Sequence, residues 1–316
     1  MRTSNIDIPT AFSEELVKIG DYYNNVVVLN ADLADSCKTE DFMNRFPERT
    51  FDLGVAEQSL PTIAAGLALS GKIPITNTFA VFTVFRGYDM VRLSIGYNNA
   101  NVKLIGHGAG QAMGYAGPSH HTLEDIAAMR AIPNFCILSP ADEIQIRKMM
   151  WWMVEHKGPV YLRMGRAKPP LIHEDSYQFV LGAIEPLTDG DDISIFTTGD
   201  IFPIAFEAME ILATKGVYAQ IINVPSLKPI DHDTVVKYGK RTKGAITVED
   251  HSVLGGLGSI ISEIYAESVM KPVKRVGIND VFTESDDCEV LLDAYGVNAN
   301  TIVKNALLIL NKVTHS

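Results

Sequence analysis

The sequence predicts an α/β protein of two three-layer α/β domains, the first of them built around a parallel sheet. Short apolar runs alternate with longer helical patterns along most of the 316 residues, which is typical of α/β units. A polar, proline-containing segment at 167–179 has only weak periodicity and divides the pattern into two series. With 47% hydrophobic residues, the chain is long enough for two cores. We therefore predict domains at 1–175 and 185–316, joined by a linker.

The first series begins with a strand at 25–33, an apolar run that ends in polar residues. A helix is predicted at 55–71, because Gly71 ends its apolar periodicity. The strand predicted at 73–82 runs directly into a helical stretch. Further elements of this series are strands at 101–108, 135–141 and 159–165 and a helix at 142–156.

The second series follows the linker and has the same alternating character. A strand at 192–200 leads into a helix at 201–216, and further strands are predicted at 218–229 and 244–252. The glycine-rich sequence GGLGS then precedes the last long helix of the chain. We expect the segment VKRVGIND to form the terminal strand of the chain.

The bulk composition argues against several classes of function. The formal charge is −11 and the pI is about 5.2, so nucleic acid or an anionic membrane is not expected as the main partner. Small anionic substrates remain open, because a few local arginines decide their binding. Cys37, Cys136 and Cys288 form no CxxC pair, so we expect no disulfide and a reducing cytoplasm. Since neither a signal peptide nor an apolar run of membrane-spanning length is found, we expect a soluble, intracellular protein.

Glu57, in the segment FDLGVAEQS, opens an apolar helical pattern and allows two interpretations. The simpler one is an exposed glutamate that is favoured by the helix dipole. The other is a buried acid, which apolar neighbours at 51–63 would keep protonated near neutrality. Such an acid can donate a hydrogen bond to a ring nitrogen.

Phe79, Phe82 and Phe85 are spaced three apart on a helix-like stretch and therefore share a face. An ordinary core stripe is the usual explanation for this spacing. Their position favours a ligand site instead, because the series starts directly after a strand, where α/β folds bind ligands.

A glycine-rich loop at 107–125 can bring its backbone close to a ligand. It does not match the GxGxxG pattern of a Rossmann dinucleotide site. His107, His120 and His121 supply donors and proton carriers, whereas adjacent histidines without a second cluster give little support for a metal site, and we predict none. Downstream, Arg163 and Arg166 end a strand, and arginine suits a phosphate-like anion, although a lone arginine is usually solvated surface.

Taken in order, these segments resemble the C-terminal part of transketolase, and the resemblance covers nearly the whole chain. FDLGVAEQS is similar to the segment around the family's cofactor-activating glutamate, and TFAVFTVFRGYDMVRLS resembles its aromatic stretch. GYAGPSHHTLED resembles the loop that ends in a glycine-proline-Thr/Ser-histidine element, and SPADEIQIRKM, VYLRMGR and ITVEDHSVLGGLGS also fit. The resemblance implies a pyrimidine-binding domain followed by a transketolase C-terminal domain.

The resemblance also implies roles in binding and activating thiamine diphosphate. Glu57 would hydrogen-bond N1′ of the aminopyrimidine and so help to deprotonate the thiazolium carbon. Phe82 would stack on the pyrimidine, with Phe79 and Phe85 completing the pocket. Asp32 would lie near the cofactor at a subunit interface.

For the substrate, Ser36 and Arg166 match positions that hold the distal phosphate of the sugar. His120 matches the histidine of the GPSH element, with a catalytic role near the substrate channel. We therefore expect an anionic sugar, with a phosphate or sulfonate end.

Two positions depart from the family pattern around the same loop. The family's usual aspartate is replaced by Ala116, and its phosphate-side histidine falls on Gly108, with His107 one residue earlier as a candidate substitute. We hypothesise a non-standard sugar, such as a branched or deoxy-sulfo ketose.

The family's diphosphate site, a GDG motif followed by Asn, is absent from this sequence. The resemblance therefore implies that a separate N-terminal transketolase subunit holds the diphosphate with Mg²⁺ or Ca²⁺, in an α2β2 heterotetramer. The nearest alternative is the beta subunit of a 2-oxoacid dehydrogenase, although GPSHH replaces its usual QHSQ-like element. Further alternatives are a fragment of 1-deoxyxylulose-phosphate synthase and a non-catalytic regulatory or binding subunit, which the presence of Glu57 and the phenylalanines disfavours.

Overall fold

A computed structural model of the protein describes residues 2–313 and contains two β-sheets packed between helices. The strands are β1 (Val26–Asn30), β2 (Thr50–Asp52), β3 (Ile73–Phe79), β4 (Lys103–His107), β5 (Cys136–Leu138), β6 (Val160–Met164), β7 (Glu185–Pro186), β8 (Ile193–Thr197), β9 (Ala219–Asn223), β10 (Ser226–Lys228), β11 (Ala245–Ser252) and β12 (Val273–Ile278). The helices are α1 (Ile8–Tyr22), α2 (Glu40–Arg45), α3 (Leu60–Leu69), α4 (Tyr88–Met90), α5 (Asp125–Arg130), α6 (Glu143–Glu155), α7 (Phe202–Ala213), α8 (His232–Arg241), α9 (Leu257–Ile264), α10 (Cys288–Ala294) and α11 (Ala299–Val313). This arrangement confirms the predicted α/β class. Within residues 2–313, no helix is both long and apolar enough to cross a membrane.

The first sheet has the strand order β10-β5-β6-β4-β3-β1-β2, and all its pairs are parallel except β10 with β5. Strands β1, β3, β4 and β6 are buried along their whole length. Helices cover both faces of such a sheet, which explains why its strands read as continuous apolar runs. The carboxyl ends of these four strands meet at one edge of the sheet, where α/β folds bind ligands.

The second sheet has the order β12-β11-β8-β9-β7, and only its β7–β9 pair is antiparallel. The predicted strand at 218–229 is divided in the structure: β9 belongs to this sheet, whereas β10 pairs with β5 of the first sheet. Pro225 lies between the two strands and cannot donate a hydrogen bond to a strand ladder. A strand from the second half of the chain therefore completes the edge of the first sheet.

The predictions for two helical regions need correction. The aromatic stretch after β3 is irregular, with π-helical segments at Phe82–Arg86 and Val91–Tyr97 on either side of α4. The helix after GGLGS is α9, which is not the last helix, because α10 and α11 follow β12, the last strand of the described residues. The apolar side of α11 packs with α7 in the core of the second sheet, and this pattern was missed in the sequence.

Arg163 forms a buried ion pair within the first domain and a hydrogen bond to the second domain. Arg163, on β6, donates to the carboxylate of Asp125 at 3.0 Å and to the backbone carbonyl of Asp250, on β11. Tyr161 donates to the same Asp125 carboxylate at 2.7 Å. Burial opposes the charge of Arg163, but Asp125 and Asp250 raise its pKa above the usual value. Arg163, a candidate anion ligand in the sequence, therefore stabilises the domain contact.

The linker is held to both domains through His173. Asp142 caps α6 by accepting from the backbone of Gln145 at 2.8 Å, and its second oxygen lies 2.9 Å from Nδ1 of His173. Nε2 of His173 lies 3.0 Å from Glu185, on β7 of the second sheet. Burial opposes protonation, but these two carboxylates raise the pKa of His173 to about 9.

We expect the deprotonation of His173 to lower the free energy of unfolding as the pH becomes alkaline. Its folded pKa lies above its value of about 6.5 in an unfolded chain, so its contribution is complete below that pH and is lost as pH rises through about 9. Urea denaturation at pH 6.5 and 9.5 should show a loss on the order of 3 kcal/mol that His173→Gln lacks. If His173→Gln loses the same free energy of unfolding between these pH values, other groups cause the loss.

Candidate active site

The carboxyl edge of the first sheet gathers most of the residues singled out in the sequence. Asp32 and Ser36 follow β1, Phe79 ends β3, Gly108 follows β4 and Arg166 follows β6. Because these strands are neighbours and run parallel, residues that are far apart in the chain reach one region.

Glu57 is buried, with 6% of its surface exposed, in the turn before α3 rather than in the helix itself. The expected apolar surroundings need correction, because Phe51, Val55 and Ile63 are exposed. Its partner is a cation instead: Nη1 of Arg86 lies 3.4 Å from Oε2 of Glu57. Nothing in the sequence singled out Arg86, because the contact joins residues from two separate segments.

The aromatic residues form a cluster with His120. The rings of Phe79 and Phe82 lie 5.9 Å apart, and the His120 ring lies 5.8 Å from the first and 5.2 Å from the second. The guanidinium of Arg86 lies 4.3 Å from the centre of the Phe82 ring, so Arg86 connects this cluster to Glu57. The combination of a buried carboxylate, phenylalanine rings and an imidazole can hold an aromatic, nitrogen-containing ring.

Phe85 lines a cleft of about 270 Å³ together with Pro118 and His121 of the glycine-rich loop. The cleft is closed on the other side by Phe282 and Thr283, from the second domain. The same segment is tied to the glycine-rich loop, because Nδ1 of His121 lies 2.8 Å from the hydroxyl of Thr283. The contribution of this segment was missed in the sequence, where no motif marks it.

His107 is turned away from the loop. It is 3% exposed, its Nε2 lies 3.2 Å from Oδ1 of Asn77, and its ring contacts Phe12 of α1 edge-on at 5.1 Å. Burial lowers its pKa to about 3, with the charge of Arg166 acting in the same direction. His107 is therefore a neutral core residue, and its placement does not support the substrate contact expected from the sequence.

Gly108 has a φ of +64°, and a Cβ added there would overlap the Sδ of Met113. Nη1 of Arg166 lies 3.4 Å from the same sulfur. Met113 thus takes the space of a side chain at 108, where the resemblance led us to look for a histidine. This residue was also missed in the sequence, since only the folded loop brings it there.

The remaining candidates lie at the edge of the site. Asp32 is exposed, has a φ of 57°, and its backbone N–H donates to Asp52 at 3.1 Å. Ser36 is half-buried beside Cys37, whose pKa is raised by burial to about 12 although the charge of Arg166 opposes this. Ser36 follows β1 and Arg166 follows β6, so both lie at the carboxyl edge of the first sheet.

Comparison with protein families matches the two parts of the chain to two domain models. The transketolase pyrimidine-binding domain matches residues 4–170, and the transketolase C-terminal domain matches residues 182–302. Together they cover most of the chain.

Similar proteins include three transketolase sections or subunits. A putative transketolase C-terminal section of Methanocaldococcus jannaschii is 40% identical over 94% of both chains. A 6-deoxy-6-sulfo-D-fructose transketolase subunit of a Clostridium species is 36% identical over 90% of this chain and 88% of that one. One of the apulose-4-phosphate transketolase subunits of Phocaeicola vulgatus is 34% identical over 99% of this chain and 100% of that one. Among solved structures, a split-gene transketolase in an inactive β4 tetramer has a TM-score of 0.90 and 40% identity, covering 97% of this chain and 99% of that one.

Proposed function

The chain belongs to the transketolase family as a C-terminal subunit, and on that premise we propose that it transfers a two-carbon ketol unit from an anionic ketose to an aldose together with an N-terminal subunit. The observation that carries the proposal is the buried Glu57, which Arg86 connects to the cluster of Phe79, Phe82 and His120. We also propose that the domains divide at 1–175 and 185–316.

The residues of this cluster fit the aminopyrimidine of thiamine diphosphate. A buried carboxylate can hydrogen-bond a ring nitrogen, and phenylalanine faces can stack on an aromatic ring. Glu57 provides the first feature, and Phe79 and Phe82 provide the second. We also propose Phe85 and Asp32 as residues near the cofactor. When bound, thiamine diphosphate supplies the nucleophilic carbon that carries the two-carbon unit.

In this arrangement each residue of the chain has a distinct task. Glu57 holds a proton at the pyrimidine nitrogen, and Phe82 orients the ring. His120, whose ring touches both Phe79 and Phe82, faces the substrate and can carry a proton to or from a sugar hydroxyl. Ser36 and Arg166 hold the anionic end of the sugar.

The N-terminal subunit would hold the diphosphate with Mg²⁺ or Ca²⁺, and the two chains would form an α2β2 heterotetramer. The similar split-gene transketolase, described as an inactive tetramer of β chains, supports the need for a second kind of chain. Cys37, Cys136 and Cys288 are unpaired, which supports a reducing cytoplasm. Neither nucleic acid nor membrane is part of the proposed assembly.

Ketol transfer by the assembled enzyme is the direct test. The chain is co-expressed with an N-terminal subunit, and each chain is also assayed alone. We expect activity only in the mixture. Decarboxylation of a 2-oxo acid with an artificial electron acceptor, without ketol transfer, would instead support a dehydrogenase subunit.

The sugar is proposed to be a non-standard ketose. The similar subunits from Clostridium and Phocaeicola are named for a sulfo-sugar and for apulose phosphate. In this chain Ala116 stands where the family pattern has an aspartate near the sugar, and Gly108 stands where it has a histidine. A donor and acceptor panel tests this proposal, and best turnover with xylulose 5-phosphate and ribose 5-phosphate would overturn it.

Replacing Arg86 by methionine is expected to tighten the binding of thiamine diphosphate. Arg86 pairs with Glu57 and lies over the Phe82 ring, so it competes with the pyrimidine for both. Because Arg86 is half exposed, we expect a gain of about 0.5–1 kcal/mol, roughly two- to fivefold. Calorimetric titration of the assembled enzyme measures it, with Arg86→Lys as the charge-retaining control. Weaker binding by the methionine variant would mean that Arg86 contacts the cofactor.

A further inference from the structure

The region next to Gly108 differs from an ordinary phosphate site in its chemistry. The thioether of Met113 fills the space above Gly108, and the Cδ of Arg166 would lie 3.7 Å from a Cβ added to that glycine. Gly108, Met113 and Arg166 therefore form one wall, which we call the Met113 wall. Its surface is apolar apart from one guanidinium group.

Arg166 has unused hydrogen-bonding capacity in this wall. Its one side-chain contact of hydrogen-bond length within residues 2–313 is the 3.4 Å approach of Nη1 to Sδ of Met113. A thioether is a weak acceptor and carries no charge, whereas a guanidinium has five N–H donors. The residue is exposed and makes no ion pair with the described part of the chain, so its donors can receive an external anion.

Arg166 is the one cation of the Met113 wall as described by the contacts of Gly108. Ser36 adds a neutral hydroxyl, and the nearby His107 is buried in its neutral form. A phosphate monoester carries about −1.5 to −2 charges near neutrality. A sulfonate carries one charge on three oxygens and is therefore matched by one guanidinium group. The thioether of Met113 adds neither charge nor an N–H donor to that of Arg166, so the Met113 wall offers less to the more highly charged group.

We propose that Met113 is a specificity-determining residue, which makes this site select a ketose ending in a sulfonate-class monoanion over one ending in a phosphate. The inference rests on the proposed function, because it assumes that Arg166 receives the anionic end of the sugar. Met113 was not a candidate in the sequence, because only the folded loop brings it to Arg166.

The experiment compares two donors that share a hexulose skeleton, 6-deoxy-6-sulfofructose and fructose 6-phosphate, with one acceptor and the assembled two-subunit enzyme. The wild type should have a kcat/KM at least about tenfold higher for the sulfonate, mainly through KM. Met113→Lys places a second cation where the sulfur lies and should shift the ratio toward phosphate by about tenfold or more. Met113→Leu keeps an apolar side chain and should retain the wild-type ratio.

Met113→Gln is a second variant in case the lysine prevents assembly, and it should shift the ratio in the same direction by a smaller factor. A wild-type preference for phosphate, or equal ratios in the lysine, glutamine and leucine variants, would overturn the inference. Ketol transfer with a preference for phosphate would overturn the role of Met113 and leave the proposed function in place. The absence of ketol transfer from every ketose would overturn both.

Discussion

Replacing Glu57 by glutamine is expected to lower kcat for ketol transfer by about 10²–10⁴-fold in the assembled enzyme. Glutamine keeps the shape of the side chain but cannot exchange a proton with the pyrimidine nitrogen. Because Glu57 is buried, water cannot readily exchange that proton in its place. Steady-state kinetics at saturating thiamine diphosphate measures the effect, and size-exclusion chromatography shows whether assembly is retained.

Glu48 offers a matched control, since its side chain is 70% exposed and lies a few residues upstream. Glu48→Gln should leave kcat within about twofold, as expected of an exposed position. Wild-type kcat in the Glu57 variant would remove Glu57 from the mechanism and, with it, the main support for the proposed function.

Replacing Arg163 by methionine is expected to lower the free energy of unfolding by about 3–5 kcal/mol. The variant leaves the carboxylate of Asp125 buried without its cation, and it removes the donor to the carbonyl of Asp250. Urea denaturation followed by circular dichroism measures the loss.

Arg45→Met is the matched control, because Arg45 pairs with Asp21 at 2.8 Å on the surface, where both side chains are about half exposed. Exposed pairs contribute about 0–1 kcal/mol, so this variant should unfold close to wild type. Equal losses in the two variants would mean that the buried contacts of Arg163 contribute no more to stability than an exposed ion pair.

The fold was predictable from the sequence where burial produces a continuous apolar run. Strands β1, β3, β4 and β6 lie inside the predicted segments because both faces of a parallel sheet are covered. The division of 218–229 between two sheets was not predictable, because it depends on a pairing with β5 about ninety residues away.

The candidate site was only partly predictable, for a related reason. Motif resemblance pointed to Glu57, Phe82 and His120. In the structure Arg86 contacts both Glu57 and Phe82, and His120 contacts Phe82. The roles of Arg86 and Met113 depend on contacts between distant segments, which spacing along the chain does not reveal.

The edge strand β10 has a consequence for how the protein is made. Strand β5 is flanked in the first sheet by β6 and by β10, so one of its edges stays open until Ser226–Lys228 has been synthesised. After Met164 the ribosome must add roughly sixty residues, which takes about 3–12 s at 5–20 residues per second. During that interval β5 presents unpaired backbone groups, the kind of edge on which nascent chains aggregate. Chaperone dependence during translation should therefore be greatest in this window and should fall once β10 emerges.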